Sequence, residues 1–225
     1  MDAPVDSPHA ATAELVAALI HSRRTVLPRW LGPPGPDAAQ LRLILEAAAA
    51  APDHRQLLPW RFVLVPAAAR ARLGEAFAQA LRERDPAAPA EALVRAEEKA
   101  HHAPVLLLAV ARLTDEPPDA SESHGGTVVA PVERLVSAGC ALQNMLLMAH
   151  ALGFGASLTA GQALASAPLR QLFALAPAEQ ALCFLSIGTP VRRPKPVQRP
   201  HPRAYVQRLG DAPGVLEDYE VDSKT

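Results

Sequence analysis

A chain of 225 residues that is 49% hydrophobic is long and apolar enough to bury a real core. Its 22 basic and 23 acidic residues give a net charge of −1, without the basic surplus that phosphate contacts to nucleic acid need. The acidic, proline-broken start MDAPVDSPHA is unlike a secretory leader, and no apolar run reaches about 18 residues free of charge and proline, so the reading is a cytoplasmic protein with no membrane or nucleic-acid partner.

Residues 1–11 are expected to be a disordered N-terminal segment, followed by a short apolar helix from Thr12 to Ile20. That helix runs into HSRRTVLPRW, residues 21–30, where prolines forbid further helix. Arg23 and Arg24 suit two roles there: an anion clamp built from rigid guanidinium forks, or solvated cations at a helix C-terminus. Asp37 to Ala51 has apolar residues at helical spacing behind an aspartate cap, and Pro52 ends it. The loop Asp53 to Leu58 then separates Pro52 from Pro59 and a strand, RFVLV, from Arg61 to Val65. Polar groups at the junction of a helix end and a sheet edge suit a small ligand, although His54 alone is equally a loop histidine bonded to nearby backbone.

Two charged amphipathic helices follow, Ala67 to Arg84 and Ala87 to Ala100, divided by Pro86 and Pro89. His101 and His102 are adjacent, so on a helix they diverge by about 100° and cannot converge on one ion; they read as a solvated helix end. Val105 to Ala111 is apolar throughout, as a strand buried on both faces should be. A polar loop spans Asp115 to Ala130, and Ser137 to Gly153 is a helix almost without a polar face, closed by Gly153. Because Leu142, Met145, Leu146, Leu147 and Met148 cover so much of its circumference, burial against a second subunit is expected. GFGASL, Gly153 to Leu158, has glycines but follows a helix and lacks the third glycine of a dinucleotide loop. Ala181 to Gly188 is a further strand, and residues 191–225, rich in proline, form an extended arm.

No nucleophile elbow, phosphate loop or metal signature is present, so neither a catalytic side chain nor a metal ligand is assigned. Cys140 and Cys183 sit in apolar segments and read as buried free thiols. Any redox chemistry would belong to a bound cofactor.

Arg23-Arg24-Thr25, then A-P-D-H-x-x-x-x-P-W at 51–60, S-A-G-C-A at 137–141, G-F-G at 153–155 and I-G-T-P at 187–190 occur in one order. This order resembles the nitroreductase family of FMN-dependent oxidoreductases, in particular its short NAD(P)H nitroreductase subgroup, from about Leu15 to about Pro190. The resemblance implies an α+β three-layer sandwich, with a mostly antiparallel central sheet flanked by helices, in a homodimer whose FMN sites lie at the interface. Residues 12–190 would be the FMN-binding domain. It implies that Arg23 and Arg24 hold the FMN phosphate and ribityl chain, with Thr25 as a hydroxyl in place of serine. His54 would lie at the flavin of the other subunit, Leu58 near the flavin where a glutamine is usual, and Leu158, Thr159 and Ala160 would run past the isoalloxazine. Arg192, with Arg193 and Lys195, would reach the FMN phosphate of a neighbouring subunit or remain a solvated basic arm. Ala50, Gln56 and Leu58 depart from the family pattern and remove polar reach near the flavin. The activity implied is hydride transfer from NAD(P)H through FMN to a nitroaromatic, quinone or similar acceptor. The alternative is a flavin-binding or flavin-free relative acting as a non-catalytic sensor or interaction module.

Overall fold

The structure, a computed structural model, describes residues 8–114, 129–192 and 196–219. In chain order, residues 8–193 contain α1 (Pro8–Ser22), β1 (Leu31–Gly32), α2 (Ala38–Ala48), β2 (Trp60–Leu64), α3 (Arg70–Arg84) and α4 (Ala90–Glu98). They continue with β3 (Val105–Arg112), α5 (Pro131–Ala151), β4 (Gly155–Thr159), α6 (Ala167–Leu172) and β5 (Glu179–Pro190). The strands form one antiparallel sheet in the order β1-β5-β3-β2, with β4 also paired to β5.

Side-chain alternation along β3 explains the layering. Leu107 and Ala111 face a core shared with Ile44 and Ala48 of α2 and with Ala141, Met145 and Ala149 of α5. Leu106, Leu108 and Val110 face a second core built with Leu73 of α3, Leu169 of α6 and Phe184 of β5. Phe77 of α3 meets Phe184 edge-on, with ring centroids 5.5 Å apart. The chain is therefore the expected α+β sandwich of three layers.

Local chemistry sets the boundaries. α2 opens with a capping box, Gln40 N donating to Asp37 Oδ1 at 2.8 Å and Asp37 N to Gln40 Oε1 at 3.0 Å. It stops at Ala48 and not Ala51, because the N–H groups of Ala49, Ala50 and Ala51 tighten onto carbonyls three residues back before Pro52. α5 begins at Pro131, six residues before the expected Ser137; proline in the first turn costs no helical hydrogen bond, and Glu133 beside it favours the positive end of the helix dipole. It ends as predicted at Gly153, whose φ is 86°, with Phe154 N donating to Ala149 O at 2.9 Å and Gly153 N to His150 O at 3.0 Å.

Several expectations are corrected. α1 starts at Pro8, four residues before Thr12, while residues 1–7 of the expected N-terminal segment lie outside the described residues. Residues 115–128 of the expected polar loop do so as well. Gly155–Thr159 is a strand, β4, whose pairing with β5 supplies the order that its small residues do not advertise. Leu142, Met145 and Leu146 are buried within their own chain, because α5 packs on the sheet and along α2 together; they need no second subunit. The exposed apolar side chains lie elsewhere: Val132 at 63% and Val136 on α5, and Leu15 at 71%, Val16 and Ile20 on α1. Cys183 is buried, which pushes its thiol up to about 11, whereas Cys140 is only half-buried.

Described residues 196–219 belong to a separate unit. Where the sequence reading had only an extended arm, Gln207–Leu209 (β6) pairs antiparallel with Leu216–Asp218 (β7), and Arg208 Nε donates to Glu217 Oε2 at 3.0 Å. No helix of the described residues is long and apolar enough to cross a membrane.

Arg70, 5% exposed at the start of α3, ties the second core to the chain that precedes β3. Its guanidinium donates to Val65 O at 2.9 Å, Ala100 O at 2.6 Å and Pro104 O at 3.3 Å. Burial lowers its pKa without making it neutral under ordinary conditions. Arg70→Ala is expected to destabilise the fold by about 2 to 4 kcal/mol in urea unfolding, since it strands buried carbonyls. Arg70→Lys should not restore the loss, because one ammonium lacks the planar fork that spans three acceptors.

Candidate functional site

Two groups of polar side chains form at opposite ends of α5. The first gathers where α1 ends. Thr25 makes a parallel bridge with Ala156, and Val26 N donates to Ala156 O at 3.1 Å, fastening the RRT segment to the start of β4. Gly155 permits this approach: a Cβ there would lie 2.9 Å from the side chains of Leu31, Pro190 and Val26. Arg24 Nη1 donates to the carbonyls of His21 and Arg23, so in this structure it caps the C-terminal end of α1, one of the two roles open from sequence. Ser22 Oγ and His150 Nε2 share a hydrogen bond of 2.8 Å. The His150 pKa is lowered by burial first and then by the charges of Arg23 and Arg24, which places all three near the C-terminal end of α5.

From this junction β4 leads into a cavity of about 500 Å³ on the α3 face of the sheet. Thr159 and Ala160 line it; Leu158 does not, because it lies opposite Leu185 and alternation turns it toward the other face. Leu106, Phe184 and Phe77 supply apolar wall, and Ser186 a buried hydroxyl. Ser157 stands opposite Ser186 in the register, is 2% exposed, and its hydroxyl has no hydrogen-bond partner among the described residues. Ser157 is therefore a buried polar group behind Ser186, which itself lines the cavity. Arg29, Arg84, Lys99 and His102 also line the cavity, and among the described residues no carboxylate side chain does. The surroundings are thus locally positive in a chain of net charge −1.

Arg192 reaches this region through Trp30. Its Cζ lies 5.2 Å from the indole centroid, and that of Arg29 lies 5.5 Å away. Val191 N donates to Trp30 O at 2.9 Å and fixes the pairing. Arg193 and Lys195 lie outside the described residues.

The second group lies at the N-terminal end of α5. His54 Nδ1 donates to Glu133 Oε2 at 2.6 Å. The loop around it is braced by Leu58 N donating to Asp53 Oδ2 at 2.7 Å and by Arg112 Nη2 donating to Leu57 O at 2.9 Å. Arg55, Gln56 and Leu58 all have positive φ (62°, 54° and 47°), at an estimated cost of about 1–3 kcal/mol each. Leu58 is 62% exposed. Glu133 and His150 are 17 residues apart on α5, hence roughly 25 Å along its axis at about 1.5 Å per residue. Within one chain, Arg23 and Arg24 therefore do not meet His54 and Leu58.

Sequence reasoning missed Arg29, Arg84, Lys99 and His102, which come from three separate segments and share no motif, and it set His102 aside as a solvated helix end. Glu133 was missed as well, since its tie to His54 crosses 79 residues.

A profile described as the Nitroreductase family matches residues 20–189. The chain is 32% identical over 156 residues, 69% of its length and 79% of the relative's, to a protein of Haemophilus influenzae named "Putative NAD(P)H nitroreductase". It is 30% identical over 179 residues, 78% of its length and 90% of the relative's, to Escherichia coli YdjA, which bears the same name. Among solved structures it is similar to a nitroreductase-like family protein of Bacillus cereus, with a TM-score of 0.71 at 18% identity over 86% of this chain and 95% of that one. It is also similar to a "putative nitroreductase in complex with FMN" from Desulfovibrio desulfuricans, with a TM-score of 0.61 at 25% identity over 87% and 97%.

The His54 bond holds the Glu133 carboxyl below the usual carboxylate range. A depressed carboxyl adds stability that is present above its unfolded value and lost as pH falls through the folded one. An NMR titration is expected to find Glu133 ionising below its ordinary value in the wild type and at higher pH in His54→Ala than in the wild type.

Proposed function

The chain belongs to the nitroreductase family, and from that premise we propose that it is an FMN-dependent oxidoreductase acting as a homodimer. It passes hydride from NAD(P)H to an electron-poor acceptor such as a nitroaromatic or quinone. The observation that carries this reading is the cavity at the end of β4, with apolar walls, the buried Ser186 hydroxyl and a cationic border. A flat heteroaromatic ring fits that lining: Phe184 and Leu106 offer apolar surface, while the Ser186 hydroxyl can bond a polar ring atom.

Bound FMN supplies acceptance and donation of hydride, chemistry for which no side chain here is suited. The chain's own residues would do the rest. Arg23, Arg24 and Arg192 hold the phosphate end by charge-assisted hydrogen bonds, with Thr25 beside them. Thr159 and Ala160 border the ring, and Lys99 and Arg29 favour the extra negative charge of its reduced form. Because His54 and Leu58 stand roughly 25 Å from the arginines along α5, the reading assigns them to the partner's site. The exposed apolar side chains of α1 and α5 support a second copy as their cover.

The test is anaerobic. Purified protein should be yellow, lose its flavin absorbance with NADH or NADPH, and regain it with a nitroaromatic or quinone. A colourless protein that cannot be reconstituted with FMN would overturn the proposal.

Arg23→Ala and Arg24→Ala should each weaken FMN binding by roughly 1.5 to 3 kcal/mol, about tenfold or more in Kd by fluorescence titration, with little change in apoprotein stability. In a heterodimer of one Arg23→Ala chain and one His54→Ala chain, shared sites place both lesions together, so half the sites should retain full activity. Sites built within one chain would leave no fully active site.

A further inference from the structure

We propose that His102 takes up a proton when the cofactor in the β4 cavity is reduced, so that reduction there consumes two protons per two electrons instead of one. The inference rests on the flavin reading above and adds a function for a residue that the sequence presented as a helix end. His102 is half-buried and lines the cavity together with Arg29, Arg84 and Lys99. The charged groups around it among the described residues come from four elements. Glu98 stands at the end of α4, Lys99 and His101 in the turn that follows, Arg29 in the turn Pro28–Trp30, and Arg84 at the end of α3.

Burial lowers the proton affinity of His102 most; Glu98 raises it, and Arg29, Lys99 and His101 lower it further. Near neutral pH the imidazole is therefore uncharged while the cavity holds an oxidised, neutral ring, and it has room for a proton. Two-electron reduction places one proton on the ring nitrogen N5 and leaves one negative charge on the ring. A charge appearing within a cavity's width of an imidazole changes its proton affinity by about tenfold or more. The second proton comes from water and resides on a ring nitrogen of His102; reoxidation by the acceptor releases it. Electrons and protons balance with no further reactant. The permanent charges of Arg29 and Lys99 also favour the reduced ring, but by an amount that does not change with pH, whereas a proton gained by His102 on reduction makes the potential itself depend more steeply on pH.

The measurement is the midpoint potential of the FMN-loaded protein from about pH 6 to about pH 8, by dye-referenced reductive titration. Wild type should show the slope of two protons per two electrons across part of that range. His102→Gln, which stays neutral and polar, should show one proton per two electrons throughout. A histidine NMR titration provides a variant-free second arm: the His102 resonance should titrate at higher pH in the reduced protein than in the oxidised protein. A yellow wild-type protein with a one-proton slope everywhere, a His102→Gln protein that keeps the steeper slope, or a His102 resonance indifferent to reduction would each overturn the inference while leaving the flavin reading intact. Protein that cannot be loaded with FMN would overturn both.

Discussion

The pairing of β4 with β5 is the constraint from which the site follows. It sets Ser157 against Ser186 and Thr159 against Phe184 on the cavity face, and Leu158 against Leu185 on the other. Since alternation along a strand has period two, a slip of β4 by one residue would exchange its faces, putting Leu158 at the cavity and Ser157 toward the core around Met145. The same strand carries Ala156, to which Thr25 and Val26 attach, so one register positions both the arginine segment and the cavity wall. Gly155 and Gly188 lie opposite each other where the pairing begins, and both sit against neighbouring chain too closely for a Cβ.

Charge is organised on a different principle from packing. The cations of the cavity come from the end of α3 and the turn after α4, which the second core and Arg70 join, and from the turn at Pro28–Trp30, whose Trp30 packs separately against Val26, Leu31 and Ala103. None of those four side chains builds the core, so the electrostatic character of the site can vary while the fold does not. Opposite the cavity, at the start of α5, the contribution is steric and local: a loop of three left-handed residues held by an aspartate, an arginine and the His54–Glu133 bond. That much bracing around strained backbone is uncommon in a loop whose only task is to connect.

The sequence made the architecture legible where periodicity and caps were strong. The Asp37 capping box, the all-apolar β3 and the Gly153 terminus of α5 appear where their residues announce them. β4 was not legible, because G-A-S-L-T carries no alternation of apolar and polar residues; its strand character comes from β5 beside it. The start of α5 was hidden by Pro131, which reads as a breaker but is tolerated in a first turn. Of the site, the ordered motifs pointed to Arg23–Thr25 and to Thr159 and Ala160, whereas Lys99 and His102 became visible only once α4 had been laid beside the sheet. The expected burial of Leu142 and Met145 by a partner failed because a helix clasped between a sheet and α2 has two inner faces, and periodicity counts only one.

α5 is uninterrupted from Pro131 to Ala151, and it carries Glu133 at one end and His150 at the other. It thus acts as a calliper between the two polar groups. Inserting or deleting a single residue within it would turn one end by about 100° against the other and move it by about 1.5 Å along the axis. Either change would unseat the histidine loop or the arginine segment while leaving the helix itself content. Length variation that descendants of this chain could accumulate is therefore confined to the stretches before Pro131 and beyond Gly153, and the helix between them is a fixed dimension of the molecule even at positions where its side chains are free to change.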